Sequence, residues 1–228
     1  MRNVKKPLSS YAYEIEAWKN NKTVCGIDEA GRGCLAGPVV ICAAILHPNS
    51  CHEKLTDSKL LSKKELLELY DWTKNNCKYA ISIKNVFTID RKNIYQTTKD
   101  GMKQAIVQLM HQQKDAPAQI IVDAMPLNIA GTIWQETSLI SMPKAELASA
   151  SVAAASVLAK VTRDIIMQEM DASFPAYHLA QHKGYGTQKH TDALLAHKPA
   201  IIHRKSYIKN IEQKIKELSY AYIQQTLC

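Results

Sequence analysis

Apolar residues in this chain follow two patterns: short unbroken runs, and longer stretches with a helical repeat. VCGID (24–28) and VVICAAIL (39–46) are unbroken runs of strand length, the signature of strands covered on both faces. YAISIKNV (79–86) alternates apolar with polar residues and predicts a half-buried strand. QIIVD (119–123) is a short apolar run that ends on a carboxylate, as a central strand delivering an acid to a sheet edge would. Between these lie helical signals. SKKE (62–65) is a capping box that opens a helix with Leu66, Leu67, Leu69 and Tyr70 at its apolar positions. A second helix is predicted from about Ile89, with Ile94, Met102, Ile106 and Leu109 on a broad face. SVAAASVLAKVTRD (151–164) predicts a helix whose alanines allow close packing on a sheet, and two more are expected at about 188–197 and 204–225. Strands first and strand–helix alternation later point to an α/β domain with a mixed sheet. Residues 1–22 are expected to form a short helical extension, and 23–228 one catalytic-sized domain that includes the C-terminal helices from about 187.

Composition sharpens this picture. Of 228 residues, 46% are apolar, enough for a sizeable core. The 29 basic residues exceed the 21 acidic ones, a formal charge of +8 that favours a polyanionic partner such as nucleic acid. Six cysteines stand at 25, 34, 42, 51, 77 and 228 with no C-x-x-C pair, so reduced thiols in a cytoplasmic protein are expected. The amino terminus has no apolar run of signal-peptide length. The most apolar segment, 34–46, is interrupted by Gly37 and Pro38 and falls short of a membrane span. No membrane partner is expected.

The chemistry on offer is carboxylate chemistry. Asp28 and Glu29 follow one strand, Asp123 ends another, and Asp164 lies on a helix. In open α/β sheets sites gather beyond strand ends, where Asp28 and Asp123 could meet. Four gathered carboxylates repel unless divalent cations neutralise them, and oxygen ligands suit magnesium or manganese rather than zinc. Taken singly, each acid has a plain reading: Asp28–Glu29 a solvated turn, Asp123 a turn cap, Asp164 the partner of a basic neighbour. His178 and His182, four apart, lack an H-E-x-x-H context and fit a surface pair or a phosphate contact better than zinc. No G-x-x-x-x-G-K-[ST] loop and no G-x-G-x-x-G fingerprint occurs.

Motifs in order decide among these. GIDEAGRGCLAGPVV (26–40), DSKLLS (57–62), IIVDA (120–124), SVAAASVLAKVTRD (151–164), HKGYGT (182–187) and HRKSY (203–207) closely resemble bacterial ribonuclease HII. The resemblance implies an RNase H-like fold, a five-stranded mixed sheet flanked by helices, with a helical C-terminal segment. It implies that Asp28, Glu29, Asp123 and Asp164 are both the catalytic and the metal-binding acids, holding two Mg2+ or Mn2+ ions. The implied activity is hydrolysis of the RNA-containing strand of RNA/DNA hybrids, and incision 5′ to ribonucleotides embedded in duplex DNA, leaving 3′-hydroxyl and 5′-phosphate ends. Backbone groups of Gly31, Arg32 and Gly33 would contact the ribose 2′-hydroxyl, and Tyr185 would pack on the adjoining sugar. Lys59, Lys160, Lys183 and Arg204 are candidate phosphate contacts, and the protein is expected to act as a monomer.

Ribonuclease HIII fits less well, since that relative carries a long amino-terminal substrate-binding domain and lacks the Gly-Arg-Gly. Glu146 stands where relatives often have aspartate, and Cys34 is a variable choice after Gly33; neither is a proposed ligand. Two other classes remain: a non-catalytic nucleic-acid-binding module, and another nuclease of the RNase H-like superfamily such as a resolvase.

Overall fold

The computed structural model describes residues 11–56, 61–113 and 115–226. β1 (Val24–Ala30) is the central strand of a five-stranded sheet. β2 (Val39–Leu46) pairs with it antiparallel on one side, and β4 (Gln119–Asp123) parallel on the other. β3 (Cys77–Lys84) lies antiparallel outside β2, and β5 (Ser138–Met142) parallel outside β4. The α/β class and the mixed sheet expected from the sequence are both present.

β2 is apolar at every position because both of its faces are covered. Val39, Ile41, Ala43 and Ile45 pack with Met102, Ala105, Ile106 and Leu109 of α4 (Ile94–Met110). Val40, Cys42, Ala44 and Leu46 pack with Ala153, Ala154, Val157, Leu158 and Val161 of α5 (Ala150–Ser173), and with Leu69 of α2 (Lys63–Asn76). The small residues that open α5 let it lie almost on the backbone of β1. A side chain on Gly26 would place its Cβ 2.1 Å from Val152 N, so no other residue fits there. This contact sets how α5 crosses the sheet, and so where Asp164 lies relative to β1. Ser62 and Glu65 form the expected capping box at the start of α2.

β1 and α5 run on to Ala30 and Ser173, past their expected ends, and three other boundaries differ from the sequence reading for a local reason. β3 starts at Cys77 and stops at Lys84, because the Asn85 side chain accepts from Thr88 N and caps α3 (Val86–Lys92). The helix expected from Ile89 is two helices, since Asn93 turns left-handed at φ 65° and caps α4 by accepting from Gln96 N. α8 (Lys209–Thr226) begins later than 204 because the segment before it returns to the connection between β1 and β2: Arg204 N donates to Leu35 O, and His203 bridges Ala36. α6 (Leu179–His182) and α7 (Gln188–His197) lie between α5 and that segment. Among the described residues no helix is long and apolar enough to cross a membrane.

α1 (Ala12–Lys19) packs Ile15, Ala17 and Trp18 on the domain and adds one buried carboxylate. Glu14 is fully buried, and its Oε1 accepts from Ser149 Oγ at 2.6 Å and from Ser151 N at 2.9 Å. The carboxyl group thus meets one otherwise unpaired amide of α5's first turn. Glu14→Ala is expected to destabilise the fold by about 1–3 kcal/mol, seen as a lower urea midpoint with an unchanged slope.

Candidate active site

The parallel register pairs Ile27 with Val122, so Asp28 and Asp123 emerge side by side at the carboxyl ends of adjacent strands. Alternation along β1 puts Asp28 on the α5 side, where the Ser156 side chain hydrogen-bonds to it. Its Oδ1 also accepts from Glu29 N at 2.7 Å. Asp28 is only 7% exposed, and its pKa is pushed up to about 7. Burial is the main cause; the negative charges of Glu29 and Asp123 add to it, and the two hydrogen bonds partly offset it. Burial also raises Glu29, against the pull of Arg32, whose Nη1 lies 3.2 Å from Oε1. Glu29 Oε2 is buried with no hydrogen-bond partner among the described residues. Asp123 Oδ1 accepts from Ala145 N at 3.1 Å, which fixes the chain after β5.

Asp28 and Asp123 therefore share one side of the strand ends, and Glu29 is close enough to add its charge, with too little positive charge around them. An acceptor-only, all-oxygen set with an orphaned buried oxygen fits a hard divalent cation. The fourth acid, Asp164, is held by Lys160, whose Nζ lies 2.6 and 2.7 Å from its two oxygens. Among the described residues no three acidic, histidine or cysteine side chains are drawn together as a ready-made metal cage.

The Gly-Arg-Gly turn follows Glu29 directly. Gly31 has φ 93°, and a Cβ there would lie 2.0 Å from Arg163 Nε, so both its conformation and its packing require glycine. Beside Gly33 nothing lies within 4 Å of where a Cβ would stand, so the turn has an open side. Its closed side is held from within. Arg204 donates from Nη2 to Gly31 O at 2.7 Å and from Nη1 to Arg32 O at 2.8 Å, and Tyr207 Oη donates to Arg32 O at 3.1 Å. Tyr185, 44% exposed, stands nearby, with its hydroxyl hydrogen-bonded to the buried Cys34 thiol.

The profile of one protein family, ribonuclease HII, matches residues 25–210, most of the chain. The chain belongs to the ribonuclease HII family. It is accordingly an enzyme, a type 2 ribonuclease H with endoribonuclease activity on RNA/DNA hybrids. The ribonuclease HII of Macrococcus caseolyticus (strain JCSC5402) is 45% identical over 194 residues, which cover 85% of this chain and 70% of that one. Among solved structures, the ribonuclease H2 from Pyrococcus horikoshii OT3 shares the fold at a TM-score of 0.69 and 22% identity, over 85% of this chain and 99% of that one. Bst-RNase HIII in complex with Mn2+ also shares it, at a TM-score of 0.69 and 18% identity, over 93% of this chain and 75% of that one.

Within this ribonuclease HII framework one expected contact needs correction. Arg204 is no phosphate contact: it is fully buried, and its guanidinium is spent on the carbonyls of Gly31, Arg32 and Gly37. Lys160 pairs with Asp164 while its side chain stays partly exposed. Lys183 is half-buried, its pKa lowered by desolvation, and it feels the charges of Asp164, Lys63 and Lys160. Lys63, the first residue of α2, is a basic neighbour the sequence reading passed over. Lys59 lies outside the described residues.

His178 lies near enough for its charge to act on His182, but the His182 ring is engaged elsewhere. His178 turns left-handed at φ 53°, whereas the His182 ring stacks on His190 with centroids 4.3 Å apart. The more telling histidines, His190 and His203, are buried and were missed, because nothing in spacing marks them. His190 Nδ1 can only donate to Tyr185 O (2.9 Å), which leaves the neutral ring's Nε2 to accept from His203 Nε2 (3.1 Å), while Ala200 N donates to His203 Nδ1 (3.0 Å). Desolvation lowers the pKa of both, to about 4 for His203, consistent with this neutral relay. It ends on the carbonyl of Tyr185.

Proposed function

We propose that this ribonuclease cuts the RNA-containing strand of hybrids and incises 5′ to ribonucleotides embedded in duplex DNA, leaving 3′-hydroxyl and 5′-phosphate ends. The observation that carries this reading is adjacency: buried, under-neutralised carboxylates at two strand ends lead straight into a glycine turn with an open side. Asp28, Glu29, Asp123 and Asp164 would hold a pair of magnesium or manganese ions, and the RNase HIII solved with Mn2+ supports a divalent cation in this fold. When bound, such cations supply charge relief at a phosphodiester and lower the pKa of water.

The chain's own residues then have separable tasks. Asp28 loses its proton on loading and orients between Ser156 and Glu29 N. Arg32 keeps Glu29 in place from the solvent side. Lys160 stands in for a cation at Asp164 and would give it up on loading. With the carbonyls of Gly31 and Arg32 held inward by Arg204, the other side of the turn is left to meet the ribose, whose 2′-hydroxyl alone tells RNA from DNA at one site. Lys63 and Lys183 would draw the phosphate backbone toward Asp164, making affinity fall as salt rises.

Three duplexes test the reading in magnesium: one with a single embedded ribonucleotide, one continuous hybrid, and one all-DNA. The first two are expected to be cut, the first on the 5′ side of its ribonucleotide, and the third left whole. Binding without cutting would return the chain to the non-catalytic class, and cutting of branched all-DNA substrates would favour a resolvase-like nuclease.

Tyr185 would press its ring on the sugar beside the ribonucleotide, where an added hydroxyl crowds it. Contacts of this kind are worth roughly 1–3 kcal/mol, so Tyr185→Ala is expected to lose about ten- to a hundredfold at a single embedded ribonucleotide. Its circular dichroism should stay native, and Tyr185→Phe should retain much of the preference. A wild-type rate and cut position in the alanine variant would make Tyr185 scaffold.

A further inference from the structure

Arg163 is fully buried beside Asp164 on α5 and makes no carboxylate pair among its hydrogen bonds. A buried guanidinium is costly unless its donors are met, and here all three of its nitrogens reach carbonyls, on two stretches of chain. Nε donates to Pro38 O at 3.0 Å, Nη2 to Ala36 O at 3.2 Å and Nη1 to Lys183 O at 2.9 Å. Its flat side lies on the backbone of Gly31, where a Cβ would be 2.0 Å from Nε. The Tyr185 ring stands over the same guanidinium, its centroid 5.8 Å from Cζ. Leu35 N donating to Gly184 O at 2.8 Å closes the seam between the two loops.

One side chain therefore touches the glycine turn, the entry to β2, the 183–185 loop and the tyrosine ring, from a position next to a site carboxylate. We infer that Arg163 is a positioning residue that fixes Tyr185 relative to the Gly31–Gly33 turn, so that ribose and adjoining sugar are read as one unit. This rests on the roles proposed above for that turn and for Tyr185. Arginine suits the task because three carbonyls on two segments, residues 36–38 and Lys183, need a rigid planar fork; a lysine keeps the charge but cannot span them.

The test is a double-mutant cycle on the ratio of kcat/KM for a single-ribonucleotide duplex to that for a continuous hybrid. Arg163→Lys and Tyr185→Ala are each expected to lower this ratio about tenfold, and the double variant to lower it no further than either alone. A wild-type ratio in Arg163→Lys, or losses that multiply in the double variant, overturns the inference while leaving the reading of Tyr185 intact. A wild-type ratio in Tyr185→Ala overturns that reading and the inference with it. If Arg163→Lys does not fold, Gly184→Ala replaces it in the cycle. A Cβ at Gly184, with φ 81°, would lie 2.6 Å from Ala36 O and force the same seam apart from the other side. The same two outcomes then decide.

Discussion

Asp28→Asn is expected to stop cleavage of both ribonucleotide-containing substrates, a loss on the order of 10³-fold or more, while making the metal-free protein more stable. The two effects have one cause. Asp28 is buried against Glu29 and Asp123 with only a serine hydroxyl and one amide to stabilise its charge. A group poised this way suits a cation and burdens the empty fold. Asparagine keeps an acceptor for Glu29 N and for Ser156 but removes the charge. Asp123→Asn is expected to lose cleavage as well, since it takes a second anion from the same strand ends.

The pH dependence gives the sign. Burial raises the Asp28 pKa from 3.8 to about 7, so between these values the native state binds more protons than the unfolded chain. Stability from this group is then fully present below pH 3.8 and is lost as pH rises through 7. The advantage of Asp28→Asn should be near zero in acid and largest above neutrality. It would appear as a higher Tm, each kcal/mol moving the midpoint of a domain this size by about 2–4 °C. Near wild-type turnover at saturating magnesium would remove Asp28 from the site. A variant less stable than wild type at pH 8, in chelator, would contradict the electrostatic account.

These acids were legible in the sequence because the strands that carry them are. β1, β2 and β4 are unbroken apolar runs, and a run that ends on Asp shows where a carboxylate leaves a sheet. β5, SLISM, escaped that reading: it is an edge strand with two serines in five residues, and its intermediate exposure leaves no continuous apolar signal. Asn93 was equally opaque, because a left-handed cap inside a helical repeat leaves the apolar period almost undisturbed. The buried cations were the largest loss. Arg163 and Arg204 look like surface charge in any one-dimensional reading, yet between them they bind the carbonyls of Lys183 and of five residues in the 31–38 stretch, which is distant in sequence from both arginines. Their burial follows from irregular loops with carbonyls to satisfy, which periodicity does not encode. Motif resemblance located the Gly-Arg-Gly turn and the tyrosine loop, but only the fold joins them.

Removing divalent cations should abolish cleavage, with magnesium or manganese restoring it. Calcium should bind the same oxygens yet support little turnover, because its larger and looser coordination fits an in-line displacement poorly. A readout independent of activity comes from loading itself. A ligand that binds only the folded state at a hundred times its Kd adds about 2.7 kcal/mol, so a clear rise in Tm is expected with magnesium or manganese at pH 8. Near pH 7 loading must also expel the proton that Asp28 still shares, since a cation needs the carboxylate and not the acid. Binding heats measured in buffers of different ionisation enthalpy should therefore show proton release at pH 7 that shrinks by pH 8.5. In Asp28→Asn that release should largely vanish, along with most of the thermal shift. Lys160 adds a second signature, because Asp164 would exchange its ammonium for a cation on loading; Lys160→Met should then leave the Asp164 oxygens open and strengthen metal binding. Full activity in chelator, or a strict requirement for zinc, would overturn the assignment of these four acids. A thermal shift with no proton release would place the cation away from Asp28.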